Sequence, residues 1–308
     1  MSKVTLALDS YQLAQYAVQV PCYICEGGNN HDAELCRYCQ APMALAHQAR
    51  AQKVLPQMIA TIGTADAGKT VYLGMLTDML SRQAKNLHLT ARGAFSVSLQ
   101  QHTIASLSRC RFPSKTPNEP DRWNWVHCQV RMDGRRQPVE LIMPDLAGEA
   151  ILEEIDHPGT YPVIKAFLNR CVGLMLLVDT ARLEEGEDDQ DFFTMKIVTY
   201  LTELHRQQAA PKKGKKNPLP AVSIVFTKAD HCDESFDDPA AYARRRTPGL
   251  FQLCKEQLPR HEFFAACVVG TYTYCWELET KVQVPLRIEP RGIIPPFAWL
   301  MKQLPRSS

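Results

Sequence analysis

Three continuous apolar runs stand out in the pattern of hydrophobic and polar positions. They cover residues 172–179, 221–230 and 263–270. Such runs are typical of central parallel strands that are covered on both faces. A fourth run, at 56–62, precedes a segment in which Leu73, Leu76 and Leu80 recur at helical spacing. The pattern therefore predicts buried strands that are joined by helices.

Two further segments predict an antiparallel hairpin. The segment WNWVHCQVRM, at 123–132, places alternate apolar residues on one face. PVELIMP, at 138–144, follows after Asp133 and Gly134, and this residue pair favours a turn. Later positions return to helical spacing, which predicts one helix through Phe193 and a last helix from PFAWLMKQL.

The alternation of strands and helices implies a three-layer α/β fold, with ligands at the carboxyl ends of the strands.

The composition is that of a globular chain with one large domain and one small one. Its 308 residues are 45% hydrophobic and 22% charged. The net charge of +2 gives no general attraction to nucleic acid or to an anionic membrane. The longest apolar stretch, at 171–178, is too short to span a bilayer. Residues 1–20 lack an apolar targeting segment, so we expect a cytoplasmic protein.

Residues 1–55 differ from the rest of the chain and predict an N-terminal segment of their own. A cysteine-rich centre at 20–42 is followed by MALAHQARAQKV, which we interpret as a connecting helix. The main domain is expected to cover residues 56–308. Within it, the lysine-rich segment PKKGKKNPLP at 211–220 is typical of a solvated loop.

Residues 63–70 read GTADAGKT and match the phosphate-binding pattern GxxxxGK[ST]. Gly63 and Gly68 let backbone N–H groups curl around a phosphate, Lys69 supplies a point charge, and the Thr70 hydroxyl can ligate Mg²⁺. The flanking strand and helix are the context that such a loop requires. The alternative is an ordinary turn that contains glycine.

The segment Pro144-Asp145-Leu146-Ala147-Gly148-Glu149 ends the second strand of the predicted hairpin. Asp145 can hold Mg²⁺ through water, and the backbone N–H of Gly148 can approach a γ-phosphate closely. The pattern DxxG is short, and Asp145 could instead cap the next helix.

The segment Thr227-Lys228-Ala229-Asp230 ends the apolar run at 221–230. The Asp230 carboxylate can accept hydrogen bonds from guanine N1–H and the exocyclic amine, while Lys228 can lay its methylene stem over the ring. Adenine would present an acceptor to the carboxylate and leave buried polar groups unpaired. The alternative is a strand end with a solvated lysine and a capping aspartate.

These three motifs, in this order, resemble the translation-factor and Ras-like class of P-loop GTPases over residues 56–304. The segment DLAGE and the closing PPFAWLMKQL are most similar to the bacterial double-GTPase-like proteins. The resemblance implies a P-loop GTPase domain whose mostly parallel sheet has six strands and one antiparallel edge. It also implies GTP or GDP and Mg²⁺ as ligands, and two switch segments that respond to the γ-phosphate.

The resemblance also implies roles for individual residues. The nucleotide would be bound by Gly63, Ala65, Asp66, Ala67, Gly68, Lys69, Thr70, Val71, Thr227, Lys228, Asp230, Val269 and Gly270. Mg²⁺ would be held by Thr70, Thr116 and Asp145, with Thr103 and Ser114 as alternatives to Thr116. Thr227 stands where the class more often has Asn, and a typical SAx loop is not recognisable in AACVVGTYT.

The predicted catalytic group is Lys69, Thr116, Gly148 and Glu149. Ras-like proteins have a water-orienting Gln where this chain has Glu149. A negative charge beside a γ-phosphate is unfavourable, so we expect slow intrinsic hydrolysis and a protein activator. Glu149 could instead turn outward as a switch contact.

Two CxxC pairs, Cys22 with Cys25 and Cys36 with Cys39, predict a zinc ribbon. Four thiolates form a closed tetrahedral zinc site with no open position for chemistry. Disulfides or an iron–sulfur cluster are the alternatives, and His31 could replace one ligand. Residues 20–42 carry more acidic than basic groups, so we expect a protein-docking module and not a nucleic-acid-binding one.

The sequence therefore predicts a GTP-binding switch that hydrolyses GTP slowly and signals to a protein effector. Three alternatives stay open at this point. They are a motor-like or helicase-associated ATPase, a scaffold that binds nucleotide permanently, and nucleic-acid binding through the zinc ribbon. An oligomer is possible as well.

Overall fold

A computed structural model describes residues 19–52, 55–82, 86–186, 189–208, 218–277 and 280–305. The lysine-rich segment predicted to be a solvated loop has Lys212, Lys213, Lys215 and Lys216 outside the described residues. Among the described residues, no helix combines the length and the apolar composition that a bilayer crossing requires.

The N-terminal module consists of two short strands, a cysteine cluster and one helix. Strand β1 (Gln19–Pro21) pairs antiparallel with β2 (Gly28–Asn30). The predicted connecting helix is present as α1 (Met43–Gln52).

The main domain is built on a seven-stranded sheet. Its strands are β3 (Gln57–Gly63), β4 (Leu87–Ala91), β5 (Asn124–Met132), β6 (Val139–Asp145), β7 (Gly173–Asp179), β8 (Ala221–Thr227) and β9 (His261–Ala265). Their spatial order is β4-β5-β6-β3-β7-β8-β9. Only β5 runs antiparallel to its neighbours in this sheet.

The sheet has one strand more than the six that the resemblance implies, and its antiparallel strand is not at the edge. The additional strand is β4, which pairs with β5 on the outside. Only Leu87 and Leu89 of this five-residue strand are buried. A strand this short and half-covered carries too weak a pattern to be recognised in the sequence.

The helices of the main domain cover both faces of the sheet. They are α2 (Lys69–Ser81), α3 (Ala94–Ser108), α4 (Gly148–Asp156), α5 (Pro162–Leu168), α6 (Thr180–Glu184), α7 (Asp189–Gln208), α8 (Glu234–Asp237), α9 (Pro239–Arg246), α10 (Pro248–Gln257) and α11 (Ile294–Gln303). Apolar residues of α2, α3 and α11 pack on one face, and those of α4, α5, α7, α9 and α10 pack on the other. The three-layer α/β prediction is therefore confirmed.

The apolar run at 263–270 does not form one central strand, as the sequence pattern had suggested. Strand β9 ends at Ala265, and the chain then leaves the sheet as β10 (Cys267–Glu277). Strand β10 pairs with β11 (Thr280–Arg291) in a separate antiparallel hairpin. The polar alternation of TYTY after Gly270 suits this pairing, and bulges near Val269 turn the chain out of the sheet.

The N-terminal module packs directly on the main domain. Ile24 and Met43 belong to the same apolar core as Trp125 of β5 and Phe167 of α5. Arg170, just after α5, donates hydrogen bonds to the carbonyl oxygens of residues 23 and 24, at 2.8 and 3.2 Å. The module thus covers part of the sheet face beside α5.

Candidate functional site

A cavity of about 300 Å³ opens at the carboxyl ends of the parallel strands. Its wall includes the loop after β3, the loop before β5, the start of α4, the ends of β8 and β9, and part of the β10–β11 hairpin. Because the carboxyl ends of parallel strands meet at one edge, the fold brings the three sequence motifs together here.

The phosphate-loop sequence forms a tight turn between β3 and α2. Asp66 and Gly68 have positive φ values of 63° and 80°, the left-handed region that glycine adopts without strain. A Cβ atom on Gly63 would lie 2.7 Å from the carbonyl oxygen of Leu177, so this position has no room for a side chain. At Gly68 there is free space, because no atom lies within 4 Å of a Cβ atom built on this residue.

Lys69 is buried beneath this loop. Its Nζ donates hydrogen bonds to the carbonyl oxygens of Gly63 at 3.1 Å and Thr64 at 2.8 Å. Burial lowers the pKa of Lys69 to about 8, although the carboxylate of Asp145 opposes this shift. A buried ammonium group that has only carbonyl partners would gain from a nearby anion.

Three oxygen-bearing side chains meet at the start of α2. The Oγ1 atoms of Thr70 and Thr116 lie 3.0 Å apart, and they donate to Asp145 Oδ2 at 2.9 and 3.2 Å. Among the described residues, the buried Asp145 Oδ1 has no hydrogen-bond partner. Burial raises the pKa of the Asp145 carboxyl group. Two hydroxyls and a carboxylate with a free oxygen are ligands that suit Mg²⁺, directly or through water.

The alternatives for the Thr116 role are less well placed. Thr103 is fully buried within α3, where its hydroxyl lies against Gly74 of α2. Ser114 lines the cavity on the same loop as Thr116. Thr116 is therefore the candidate that the hydrogen bonds to Thr70 and Asp145 favour.

Gly148, the first residue of α4, touches the phosphate loop. A Cβ atom at this position would lie 2.5 Å from the backbone nitrogen of Ala65 and 2.8 Å from the carbonyl oxygen of Gly63. No side chain fits into this contact. The backbone of α4 is thus in direct contact with the loop that would hold phosphates.

Glu149 is engaged by the loop before β5. Its carboxylate oxygens accept hydrogen bonds from Lys115 Nζ at 2.5 Å and from Asn118 Nδ2 at 3.2 Å. The hydrogen bond from Lys115 is the main cause that lowers the pKa of Glu149. Glu149 therefore contacts the loop that carries Thr116.

The other end of the cavity is formed by the segment after β8. Thr227 Oγ1 donates to the carbonyl oxygens of Ala67 at 2.9 Å and Val178 at 3.2 Å. Lys228 has a positive φ of 53°, and its Nζ lies 2.7 Å from Oδ2 of the fully buried Asp179. These contacts join the segment to the phosphate loop and to β7.

Asp230 lines the same end of the cavity, and burial raises the pKa of its carboxyl group. Beside it, the rings of His231 and Tyr272 stack with their centroids 5.2 Å apart. Tyr272 comes from β10, so the separate hairpin supplies part of the wall.

The family to which this site belongs is given by a sequence comparison. The profile described as Double-GTPase 2 matches residues 57–265, which is more than half of the chain. The chain belongs to the Double-GTPase 2 family. Membership in the Double-GTPase 2 family confirms the resemblance predicted from the three motifs, and it supports a GTP-binding switch. No curated protein matches the chain.

Solved GTPase structures are similar to this Double-GTPase 2 protein. The Arl6 BBS3 small GTPase of Trypanosoma brucei is 15% identical, and the match covers 80% of this chain and 96% of that chain with a TM-score of 0.40. The S. cerevisiae Ski7 GTPase-like domain bound to GTP is 17% identical, with coverages of 69% and 42% and a TM-score of 0.38. For a bacterial selenocysteine-specific elongation factor, the identity is 16%, the coverages are 69% and 25%, and the TM-score is 0.34. These likenesses concern the fold alone.

The residues predicted to bind nucleotide or Mg²⁺ or to act in catalysis fall into three groups in this Double-GTPase 2 protein. Lining the cavity are Ala65, Asp66, Gly68, Lys69, Thr70, Val71, Thr116, Gly148, Glu149, Thr227, Lys228, Asp230 and Val269. Gly63, Ala67 and Asp145 lie just behind this wall, where they accept hydrogen bonds from Lys69, Thr227 and Thr70. Gly270 lies between Val269 and Tyr272, which line the cavity, but it does not line the cavity itself, and a Cβ atom built on it would meet the side chain of Glu289.

Several cavity residues were missed in the sequence. Ala266, Cys267 and Val268 line the cavity directly after β9, where the expected SAx loop would stand. Residues just after a parallel strand are candidates for such a site. The sequence pattern placed the end of this strand at residue 270 and not at Ala265, so these three residues were assigned to the strand. Lys115 and Tyr272 carry no local signal, because tertiary packing alone brings them to the cavity.

The four predicted zinc ligands also come together. The Sγ atoms of Cys22, Cys25, Cys36 and Cys39 all lie within 4.8 Å of one another. Cys22 and Cys39 are 3.7 Å apart, and Cys25 and Cys36 are 3.5 Å apart. Zinc–sulfur bonds of about 2.3 Å in a tetrahedron imply sulfur separations of roughly 3.8 Å, so the cluster fits a zinc ion.

Backbone N–H groups form hydrogen bonds to two of the cysteine sulfurs, as groups around metal ligands commonly do. The N–H groups of Ile24 and Tyr38 point to the sulfurs of Cys22 and Cys36, at 3.3 and 3.4 Å. None of the eleven cysteines, all of which are among the described residues, forms a disulfide. His31 stands outside the cluster and packs against the ring of His47, with 5.1 Å between the centroids.

Proposed function

We propose that this protein is a GTP-binding switch with slow, Mg²⁺-dependent hydrolysis and a zinc-bound docking module. The observation that carries this proposal is the meeting of Thr70, Thr116 and Asp145 within 3.2 Å beside Lys69. These residues come from the phosphate loop and from the two predicted switch segments. Such an arrangement lets one bound ion and one phosphate group fix both segments at once.

The phosphates would bind in the loop from Gly63 to Val71. Backbone N–H groups of the loop and of the first turn of α2 would donate to them, and Lys69 would exchange its carbonyl partners for phosphate oxygens. The Thr70 and Thr116 hydroxyls would bind Mg²⁺, with Asp145 acting through water. The ion neutralises charge on the phosphate oxygens.

The base would bind at the end of the cavity near β8, where Asp230 would form hydrogen bonds with it. A half-buried carboxylate at a cavity wall needs donors, and guanine offers two of them on one edge. Val269 and the neighbouring backbone would close the site on the remaining side. This geometry supports GTP and GDP over ATP.

Hydrolysis would be slow without a partner. The Gly148 N–H would donate to the γ-phosphate, but the next residue is Glu149, which cannot orient water as a neutral Gln does. An arginine from an activating protein accelerates such reactions by roughly 10³ to 10⁵. A protein effector or activator is therefore part of this proposal.

Zinc would be bound by Cys22, Cys25, Cys36 and Cys39 as a closed structural site. The module would dock a protein and not nucleic acid, because its acidic residues outnumber its basic ones at 20–42. We propose that the protein acts in the cytoplasm, as a monomer or as an oligomer.

The nucleotide assignment is tested by replacing Lys69. Lys69→Ala should abolish GTP and GDP binding in calorimetric titrations, because the phosphates lose their buried positive charge. Lys165→Ala, an exposed lysine on α5, is the matched control and should bind as the wild type does. GTP affinity that survives in Lys69→Ala would refute the phosphate-loop assignment.

The same preparation distinguishes the alternative functions. The nucleotide and metal released on denaturation should be GDP or GTP with one zinc ion per chain. Preference for ATP in a competition titration would favour the ATPase, and single-turnover assays without any product would favour the permanently bound scaffold.

A further inference from the structure

Lys115 lies beside the cavity, on the loop that also supplies Thr116. Residues 112–116 of this loop and Asn118 form one wall of the cavity. Thr116 Oγ1 is only 3.0 Å from Thr70 Oγ1, which fixes the neighbouring backbone next to the phosphate loop. Lys115 is therefore carried to the phosphate end of the cavity and not to the base end.

Lys115 forms an exposed ion pair with Glu149, and such a pair is weak. The Lys115–Glu149 pair has about half of each side chain exposed, with values of 52% and 49%. Ion pairs this exposed are screened by water and contribute little to stability. Lys115 can therefore leave Glu149 when a more highly charged anion is within reach.

Two lysines share one cavity. Lys69 and Lys115 both line it, at the end that also contains Thr70 and Gly148. Two positive charges that face the same space repel each other. A multivalent anion placed there would be attracted by both, and a triphosphate carries its extra charge on the terminal group.

We propose that Lys115 contacts the terminal phosphate of bound GTP and that Glu149 is a positioning residue, which holds Lys115 at the cavity mouth when this phosphate is absent. This inference rests on the GTP binding proposed above. It gives the chain a cation of its own at the terminal phosphate, in addition to any arginine that an activating protein supplies.

In hydrolysis, the oxygen of water forms a bond to the γ-phosphorus, and the bond from this phosphorus to the β–γ bridging oxygen breaks. The electron pair of the broken bond stays on GDP, and the proton of water passes to the released phosphate. Lys115 keeps its proton and stabilises the negative charge that develops on the oxygens.

The first test compares GDP with a non-hydrolysable GTP analogue in calorimetric titrations. Lys115→Gln should weaken analogue binding about tenfold and leave GDP binding within about twofold of the wild type. Single-turnover hydrolysis should slow at least about tenfold. Lys115→Arg should restore both properties, and the control Lys165→Gln should change neither.

The second test addresses Glu149. Glu149→Gln should raise the ratio of analogue affinity to GDP affinity, because Lys115 loses its charged competitor. A purely structural role would change both affinities by the same factor. If the wild type binds GTP, and Lys115→Gln lowers the affinities for the analogue and for GDP equally or changes neither, this inference alone is overturned. A wild type that binds neither nucleotide overturns the proposed function as well.

Discussion

Asp230 is the side chain that we propose as the determinant of base preference. Burial raises the pKa of its carboxyl group, so the ionised form gains from any donor in the cavity. The surrounding contacts hold this end of the site in place, through the ion pair of Lys228 with Asp179 and the hydrogen bond of Thr227 to the phosphate loop. These contacts connect the segment that carries Asp230 to the loop after β3, which is the proposed phosphate site.

Replacing Asp230 by Asn should change the preferred base. The amide offers a donor where the carboxylate accepts, so xanthine nucleotides should replace guanine nucleotides as the tighter ligands. We expect a change in preference of at least about tenfold. Competition titrations with GDP and xanthosine diphosphate measure it. A protein that is indifferent to the substitution would contradict the base assignment.

The elements of the main domain were predictable where burial is complete. Strands β3, β7 and β8 are apolar along nearly their whole length, and the phosphate loop between β3 and α2 has a fixed spacing of glycine and lysine. These signals are local, so the sequence was enough to find them.

The elements at the edges were not predictable in the same way. Strand β4 is short and half-covered, and β10 continues an apolar run that looks like one strand through residue 270. The contacts of Lys115 and Tyr272 depend on where whole loops and hairpins pack. Sequence patterns describe which face of an element is buried, but they do not fix where neighbouring elements lie.

The cysteine cluster leads to a prediction about zinc binding and stability. Cys36→Ser removes one of four sulfur ligands, so the protein should lose its bound zinc. We expect the free energy of unfolding to fall by about 3 kcal/mol, the stabilisation from a ligand at one hundred times its dissociation constant. Metal analysis and urea denaturation measure the two effects.

Cys110→Ser is the matched control, because Cys110 is exposed and stands outside the cluster. It should keep one zinc ion per chain and the wild-type stability. A full equivalent of tightly bound zinc in Cys36→Ser would show that the four sulfurs do not act together.

At the scale of the whole molecule, buried groups set the pH range in which the fold is stable. His205 of α7 is 4% exposed, and its Nδ1 lies 3.0 Å from the carbonyl oxygen of Leu201. Burial lowers the pKa of His205 below its ordinary value of 6.5. Below pH 6.5 the unfolded chain therefore binds more protons than the folded one, so acid favours unfolding.

The free energy of unfolding should accordingly fall as the pH is lowered from 6.5. In His205→Leu this fall should be shallower, because the side chain no longer takes up a proton. Urea denaturation at a series of pH values measures the slope. His157→Gln changes an exposed histidine and should keep the wild-type slope, while an equal slope in His205→Leu would contradict the burial argument.

The shared core of the N-terminal module and the sheet limits how the chain can be divided. A fragment that began at residue 56 would lose Ile24 and Met43 from the apolar core that also contains Trp125 and Phe167. Arg170 would keep its charge and lose the carbonyl oxygens that anchor it. Such a truncated protein would be prone to aggregate, so a protease that removed the module would destabilise the main domain without cutting it.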